Sequence, residues 1–233
     1  MKIAALSDIH GNLFALDAVL EDVRSRGVDI TVNLGDILSG ALLPAETAER
    51  LMALELPTIR GNHERQVLAG DPERMGPSDR HAFDTLDAAQ RAWVAQLPAV
   101  LRPADGVFLC HATPHNDFDC YLEDLVDGEL RPAPVGRVEE RSRGCDASLI
   151  LCGHSHIPRV IRLRTGQLVV NPGSVGQPRS GDARASYAVW DDGEFILRKA
   201  RYPVETTIAK LKLLGFKETV EQELATTLRT GGS

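Results

Sequence analysis

The chain has 233 residues, of which 43% are hydrophobic and 25% are charged, and its formal net charge is −7. A chain of this length and composition can bury a substantial core, so intrinsic disorder of the whole chain is excluded. We expect a cytoplasmic protein, because no apolar run approaches the roughly 20 residues of a membrane helix and the early Asp8 interrupts any secretory h-region.

The first third of the chain alternates between strand and helix patterns. Short apolar strands are predicted over 2–7 and 29–34, with a briefer one at 58–59. Amphipathic helices over about 13–26 and 44–55 connect them. This order predicts parallel strands joined by crossover helices.

The middle of the chain has a more helical pattern. One helix is predicted over 79–96, and a strand over 107–110 ends directly before His111. The polar, proline-containing stretches 116–126 and 135–143 have the pattern of two helices or of a lid.

The last third changes to β patterns. A strand over 149–151 precedes two hairpins, whose turns lie at 165–166 and 191–193. Amphipathic helices over 204–214 and 219–228 follow.

We expect a single domain over 1–233, because no linker, repeat or low-complexity tract divides the chain. Within it, 113–144 are predicted to form a lid or cap insertion. The helices within 203–228 are predicted to pack on the domain.

Polar side chains stand where five predicted strands end. They belong to the blocks Asp8-Ile9-His10, Gly35-Asp36, Gly61-Asn62-His63-Glu64, His111 and Gly153-His154-Ser155-His156. Because ligands bind outside the carboxyl ends of strands in an α/β sheet, we expect these groups to converge on one rim. Their oxygen and nitrogen donors suit Mn, Fe, Zn, Co or Ni. The candidate ligands are two Asp, one Asn and four His. Seven ligands are too many for one ion, so the set predicts two ions that share a carboxylate, for which Asp36 is the natural candidate.

These blocks, in this order, resemble the five signature blocks of the calcineurin-like metallophosphoesterases. The segment from Asn171 to Arg179 also resembles the smaller bacterial and archaeal phosphodiesterase branch. The likeness runs from Lys2 to about Leu228. It implies an α/β (α+β) fold, a four-layer α/β/β/α sandwich in which helices flank two mixed β-sheets.

The resemblance also implies two divalent ions, with manganese expected and iron, zinc, cobalt or nickel as alternatives. The ligands of the first ion would be Asp8, His10 and His156. The ligands of the second ion would be Asn62, His111 and His154. Asp36 would bridge the two ions together with a water or hydroxide.

The same resemblance implies that His63 is a catalytic residue and not a ligand, since it would protonate the leaving oxygen or stabilise the phosphate charge. Three residues are candidates for substrate contact: Asn12, His115 and Arg179. Each has a plainer alternative, because Asn12 can cap the first predicted helix and the other two can be ordinary loop residues.

The second block departs from that of the protein Ser/Thr phosphatase branch. There it reads G-D-x-x-D-R-G, and the later aspartate orients the catalytic histidine. Here Ser39 stands in place of that aspartate, and the following arginine is absent. This difference favours phosphodiester substrates.

We therefore expect a dinuclear metal-dependent phosphoesterase, specifically a phosphodiesterase that uses a metal-bridging hydroxide. The alternatives are a phosphomonoesterase or protein Ser/Thr phosphatase and, from another class, a non-catalytic scaffold of the same fold such as the retromer subunit. The expected partner is a small phosphoester, for example a nucleotide. We expect no membrane and no bulk nucleic-acid binding, and a homo-oligomer is compatible with the sequence.

Overall fold

The computed structural model describes residues 1–40, 42–191 and 193–232, so Asp192 in the predicted turn at 191–193 lies outside the described residues. In the first half the elements are β1 (Ile3–Leu6), α1 (Leu13–Arg24), β2 (Ile30–Asn33), α2 (Pro44–Leu54), α3 (Asn62–Ala69), α4 (Pro77–Thr85), α5 (Ala88–Gln96), β3 (Val100–Leu101) and β4 (Val107–Cys110). In the second half they are β5 (Glu123–Val126), β6 (Glu129–Pro132), α6 (Val135–Arg141), β7 (Leu149–Leu151), β8 (Arg159–Arg162), β9 (Leu168–Asn171), β10 (Ala185–Asp191), β11 (Glu194–Ala200), α7 (Val204–Lys212) and α8 (Glu218–Thr230).

Two mixed sheets form the centre of the molecule. The first has the strand order β11-β10-β1-β2, in which only β1 and β2 run parallel. The second has the order β3-β4-β7-β9-β8, with a parallel centre and an antiparallel strand at each edge. Helices cover the outer faces, so the predicted fold class of two mixed sheets flanked by helices is confirmed.

The alternation of side chains along each central strand builds the layers. Ile3 and Ala5 of β1 pack between the two sheets, whereas Ala4 and Leu6 pack in the outer cluster that includes residues of α1. Along β7, Leu149 likewise joins the layer between the sheets. Because both faces of these strands are buried, their sequences are continuously apolar and show no polar alternation.

Two predicted elements of the first half are corrected. The strand predicted at 58–59 is reduced to a single parallel bridge between Asn33 and Thr58. The helix predicted over 79–96 is two helices, α4 and α5. The break arises because Asp87 accepts a hydrogen bond from the backbone N–H of Gln90, whose side chain bonds back to Asp87, and this capping box begins a new helix.

The helix predicted within 116–126 is also wrong, because β5 and β6 pair there as an antiparallel hairpin. Asp127 and Gly128 connect the strands, and both have positive φ, at 53° and 82°. Two such residues form the turn that matches the twist of paired strands. The second predicted helix of this region is present as α6.

The last two helices pack against the loop that follows β2. Their buried residues form one cluster with Leu42 of that loop. Phe216, between the two helices, lies edge-on to the ring of His81 on α4, with 5.6 Å between ring centroids. Among the described residues, none of the helices has both the length and the apolar character needed to cross a membrane.

Gly40 offers a test of how closely the loop after β2 must approach the loop after β1. A Cβ at this position would overlap the carbonyl oxygen of His10. We therefore expect Gly40→Ala to lower the free energy of unfolding by at least about 2 kcal/mol in urea titrations, because the backbone must shift to remove the overlap. The control is Gly136→Ala on the exposed face of α6, which should be neutral or stabilising. Equal stability of the two variants would contradict this reading of the loop contact.

Candidate metal centre

Loops at the carboxyl ends of four strands converge on one rim of the sheets. They follow β1, β2, β4 and β7 and carry Asp8, His10, Asp36, His111, His154 and His156. The first turn of α3 adds Asn62 and His63. The structure therefore brings together all the residues that the sequence blocks marked as ligands.

The potential ligand atoms fall into two groups. The first group contains Asp8, His10 and His156, and the second contains Asp36, His111 and His154. Within each group the ligand atoms lie within 4.8 Å of one another, and all the residues are buried except half-buried His154. Ligands of one transition-metal ion lie roughly 3–4 Å apart, so each group needs only a small contraction to hold a cation.

Three histidine rings are oriented by hydrogen bonds of Nδ1 to backbone carbonyls. His111 donates to Leu34 over 2.8 Å, His156 donates to Gln177 over 2.6 Å, and His10 donates to the carbonyl of Ser39. Each bond turns Nε2 inward, and Nε2 is the free nitrogen whenever the ring is neutral.

The inward nitrogens of the first group face each other. Nε2 of His10 lies 3.0 Å from Nε2 of His156, which in turn lies 3.4 Å from a carboxylate oxygen of Asp8. With both Nδ1 atoms protonated, the two lone pairs repel at this distance unless a cation or an additional proton lies between them. This donor arrangement fits a divalent ion.

His154 uses the opposite nitrogen. Its Nε2 donates to the carbonyl of Phe118 over 3.0 Å, which leaves Nδ1 free, 3.0 Å from the side-chain amide of Asn62. On the other side of this group, Nε2 of His111 lies 3.1 Å from Asp36. Two imidazole nitrogens, an amide and a carboxylate therefore meet at the second group, and this donor set also fits a divalent ion.

The backbone of the cluster is strained. Five of the potential ligands have φ between 51° and 69°, a region that residues other than glycine seldom adopt: Asp8, His10, Asp36, His154 and His156. Hydrogen bonds between loops hold this conformation, including Asp8 N–H to the carbonyl of Gly35 and His10 N–H to that of Asp36, each 3.0 Å long. Strain of this kind persists only where the surrounding structure enforces it, and it concentrates at functional sites.

Charges within the cluster separate the protonation states of its members. Burial raises the pKa of Asp8, but the charge of His156 and its hydrogen bond outweigh burial and hold the pKa at about 2. Burial and the charge of His156 lower the pKa of His10 to about 3, so its ring is neutral at physiological pH. Burial also lowers the pKa of His111, but the charge and hydrogen bond of Asp36 raise it to about 10. Asp8 and His10 are therefore already in the ionised and neutral forms that bind metals, whereas His111 is protonated beside Asp36 and must lose that proton when a cation binds.

A cavity of about 260 Å³ lies beside the cluster, and its wall includes His10, Asp36, His154 and His156. His63 also borders it, with Nε2 3.9 Å from a carboxylate oxygen of Asp36. The opposite nitrogen of His63, Nδ1, lies 2.7 Å from Oδ1 of Asp79 on α4. Reacting groups can therefore approach the cluster from solvent.

A family model described as the calcineurin-like phosphoesterase superfamily domain matches residues 1–192. The chain belongs to this family. It is 32% identical over 239 residues to an uncharacterized protein of Methanocaldococcus jannaschii, with 89% of each protein covered. It is 29% identical over 202 residues to the phosphodiesterase YfcE of Escherichia coli, with 82% of this chain and 88% of YfcE covered.

Solved structures agree with this membership. The metallophosphoesterase from Sphaerobacter thermophilus has a TM-score of 0.81 and 26% identity, and the match covers 99% of both chains. A hypothetical protein from Pyrococcus horikoshii has a TM-score of 0.83 over 100% of this chain and 98% of its own, and at 23% identity it supports the fold alone. The predicted family and the predicted enzyme class, a metal-dependent phosphoesterase, are thus confirmed.

The three candidates for substrate contact in this phosphoesterase have different surroundings. Arg179 borders the cavity, together with Cys120 and Leu130. Asn12 is fully buried, accepts a hydrogen bond from the N–H of Ala15 and donates to the carbonyl of Gly176, so it caps α1 and joins two loops. Neither Asn12 nor the exposed His115 is among the described residues that line the cavity. Substrate contact by Asn12, His115 and Arg179 stays a prediction.

Glu64 is a structural residue of the site to which the sequence analysis gave no role beyond its place in the third block. It is buried, and its carboxylate accepts backbone hydrogen bonds from Asp36, Ile37 and Gly61 over 2.7–2.9 Å and a longer one from Leu38. One side chain thus joins the loop after β2 to the start of α3. The capping-box spacing from Gly61 to Glu64 was the visible signal.

Replacing this carboxylate tests its role in holding the two loops. In Glu64→Gln an amide N–H₂ must face backbone N–H groups, so buried donors lose their acceptor. We expect the free energy of unfolding to fall by about 3 kcal/mol in urea titrations. We expect metal affinity, measured by calorimetry with Mn²⁺, to fall as well, because the backbone of Asp36 loses its partner. The matched variant Glu49→Gln, on an exposed face of α2, should stay within about 0.5 kcal/mol of the parent. A Glu64→Gln protein as stable as this control would contradict the assignment.

Proposed function

We propose that this phosphoesterase is a dinuclear phosphodiesterase that holds two divalent ions in the two groups of ligands. The observation that carries the proposal is the pair of Nε2 atoms of His10 and His156, which face each other at 3.0 Å while both Nδ1 atoms donate to backbone carbonyls. Such an arrangement is costly without a cation to share the lone pairs. The second group also brings imidazole and carboxylate donors together beside the same cavity.

The proposed ligands follow the two groups, except that Asn62 is added to the second and Asp36 is shared. Asp8, His10 and His156 would hold the first ion. Asn62, His111 and His154 would hold the second ion. Asp36 is proposed to bridge, because its carboxylate lies 3.1 Å from His111 of the second group and borders a cavity that His10 of the first group also lines. Manganese is the proposed metal, and the same oxygen and nitrogen donors also suit Fe, Zn, Co or Ni.

A pair of divalent ions supplies a nucleophilic water near neutral pH and stabilises the charge of a phosphate undergoing in-line displacement. The protein then has to neutralise the leaving oxygen. Burial lowers the pKa of His63, but the charge of Asp36 and the hydrogen bond with Asp79 raise it to about 9. The ring is therefore protonated at neutral pH, and we assign it as the acid that donates a proton to the leaving oxygen.

Arg179 is proposed to bind the substrate phosphate, because its side chain borders the cavity and a guanidinium pairs well with phosphate oxygens. Leu130 and Cys120 provide a less polar part of the same wall, where the organic group of the ester can lie. The cavity of about 260 Å³ suits a small phosphoester, such as a nucleotide. The relationship to a protein named phosphodiesterase YfcE supports a diester as substrate.

Asp36→Ala tests the bridging carboxylate. We expect it to abolish binding of two Mn²⁺ per chain, measured by elemental analysis, and to reduce turnover of bis(p-nitrophenyl) phosphate at least about 1,000-fold. Asp127→Ala is the control, because Asp127 has nearly the same positive φ but lies in an exposed turn of the β5–β6 hairpin. That variant should keep its metal and activity. Parental turnover by Asp36→Ala would refute the proposed site.

His63→Ala separates acid catalysis from metal binding. We expect the variant to retain the parental metal content but to lose about 100-fold in kcat toward the same diester, because the leaving oxygen is no longer protonated. Turnover of p-nitrophenyl phosphate, measured in parallel, should be slower than turnover of the diester in the parent. A parent that prefers the monoester would instead identify a phosphomonoesterase.

A further inference from the structure

We propose that Asp79 is the positioning residue for His63, so that an aspartate on α4 orients the catalytic ring in this protein. The inference rests on the proposed function, in which His63 delivers a proton to the leaving group. The observation behind it is the contact of 2.7 Å between Oδ1 of Asp79 and Nδ1 of His63. Asp79 is only 6% exposed, so water competes little for this carboxylate.

The loop after β2 does not orient His63 through a side chain at position 39. Ser39 is buried, and its hydroxyl has no hydrogen-bond partner among the described residues, while its carbonyl accepts the hydrogen bond from His10. The loop thus helps to orient a ligand. The partner of His63 comes from a separate helix, 16 residues further along the chain.

The contact fixes which nitrogen of His63 faces the cavity. When Nδ1–H donates to Asp79, Nε2 is the nitrogen directed toward Asp36, 3.9 Å away. The ring also lies edge-on to His10, with 5.5 Å between centroids. Asp79 therefore sets both the rotation of the ring and the location of the proton that Nε2 delivers.

Capping of α4 is the alternative role for Asp79, since it stands in the first turn of that helix. Its carboxylate is instead directed at His63, and the helix already begins with Pro77, which needs no partner for a missing N–H. The helix is a firm support, because Ala82 is buried in the core and His81 packs against Phe216. A carboxylate on such a helix can hold a ring in one orientation.

Leaving-group dependence separates positioning from a structural role. A proton from His63 matters less when the leaving group is p-nitrophenolate than when it is the more basic phenolate, because the more basic oxygen depends more on protonation to leave. We expect Asp79→Asn to lower kcat about tenfold for methyl p-nitrophenyl phosphate and at least about 100-fold for methyl phenyl phosphate. KM and Mn²⁺ content should stay at parental values. In the background of His63→Asn, the same substitution should have no further effect on either ester.

The matched control is Asp84→Asn, on the same helix, where an exposed aspartate pairs with Arg80. It should match the parent on both esters. Equal losses on the two esters, losses in KM or metal content, or effects additive with His63→Asn would overturn the positioning role. A parent that hydrolyses neither diester would refute the proposed function, whereas an active parent insensitive to Asp79→Asn would refute the role of Asp79 alone.

A second readout does not depend on turnover. In ¹⁵N–¹H spectra of the Zn²⁺-loaded protein, the ring of His63, identified by its loss in His63→Asn, should carry a slowly exchanging proton on Nδ1. Asp79→Ala should abolish that signal or return it to rapid exchange, while Asp84→Asn should leave it unchanged. An Nδ1 proton that persists unaltered in Asp79→Ala would overturn the proposal.

Discussion

The site depends on histidine rings whose second nitrogens are bound to the backbone. Carbonyls of two loops, those after β2 and β9, hold the Nδ1 atoms of His10, His111 and His156, and their Nε2 atoms are thereby forced toward the carboxylates. This orientation sets unprotonated nitrogens against each other in a buried space. In the proposed function, the gain from binding cations there would offset the cost of this repulsive arrangement and of a backbone strained at five proposed ligand positions.

The loops can enforce this strain because they are joined to one another and to the sheets. Glu64 connects the loop after β2 with the start of α3, and Asn12 connects the first loop to the segment around Gly176. Gly40 must lack a side chain for the loop after β2 to contact His10. The rim is therefore a set of turns above an apolar layer between the sheets, and buried polar contacts join these turns to one another.

The sequence predicted the site best where the candidate ligands stand directly after a predicted strand. The metal-type residues stand at strand ends, so their positions predicted that they converge on one rim, and the resemblance to the family implied how they divide into two groups. Residues that act across the fold were missed, because Asp79 and Glu64 find their partners on elements far away in the chain. The hairpin of β5 and β6 was missed although Asp127-Gly128 is a turn signal, since the polar composition around it also fits helices.

The C-terminal helices pack against two elements that adjoin the site. They lie beyond residues 1–192, the part that the family model matches, and they pack on the loop at Leu42 and on α4, which carries Asp79. The β5–β6 hairpin contributes Leu130 to the opposite side of the cavity. The C-terminal helices and the hairpin thus contact two different sides of the site.

Anomalous diffraction from crystals grown with Mn²⁺ tests the central claim most directly, because it locates the ions independently of any activity. The account predicts two manganese peaks, one at Asp8, His10 and His156 and the other at His111, His154 and Asn62, with Asp36 contacting both. A single peak, or none at these side chains, would contradict it.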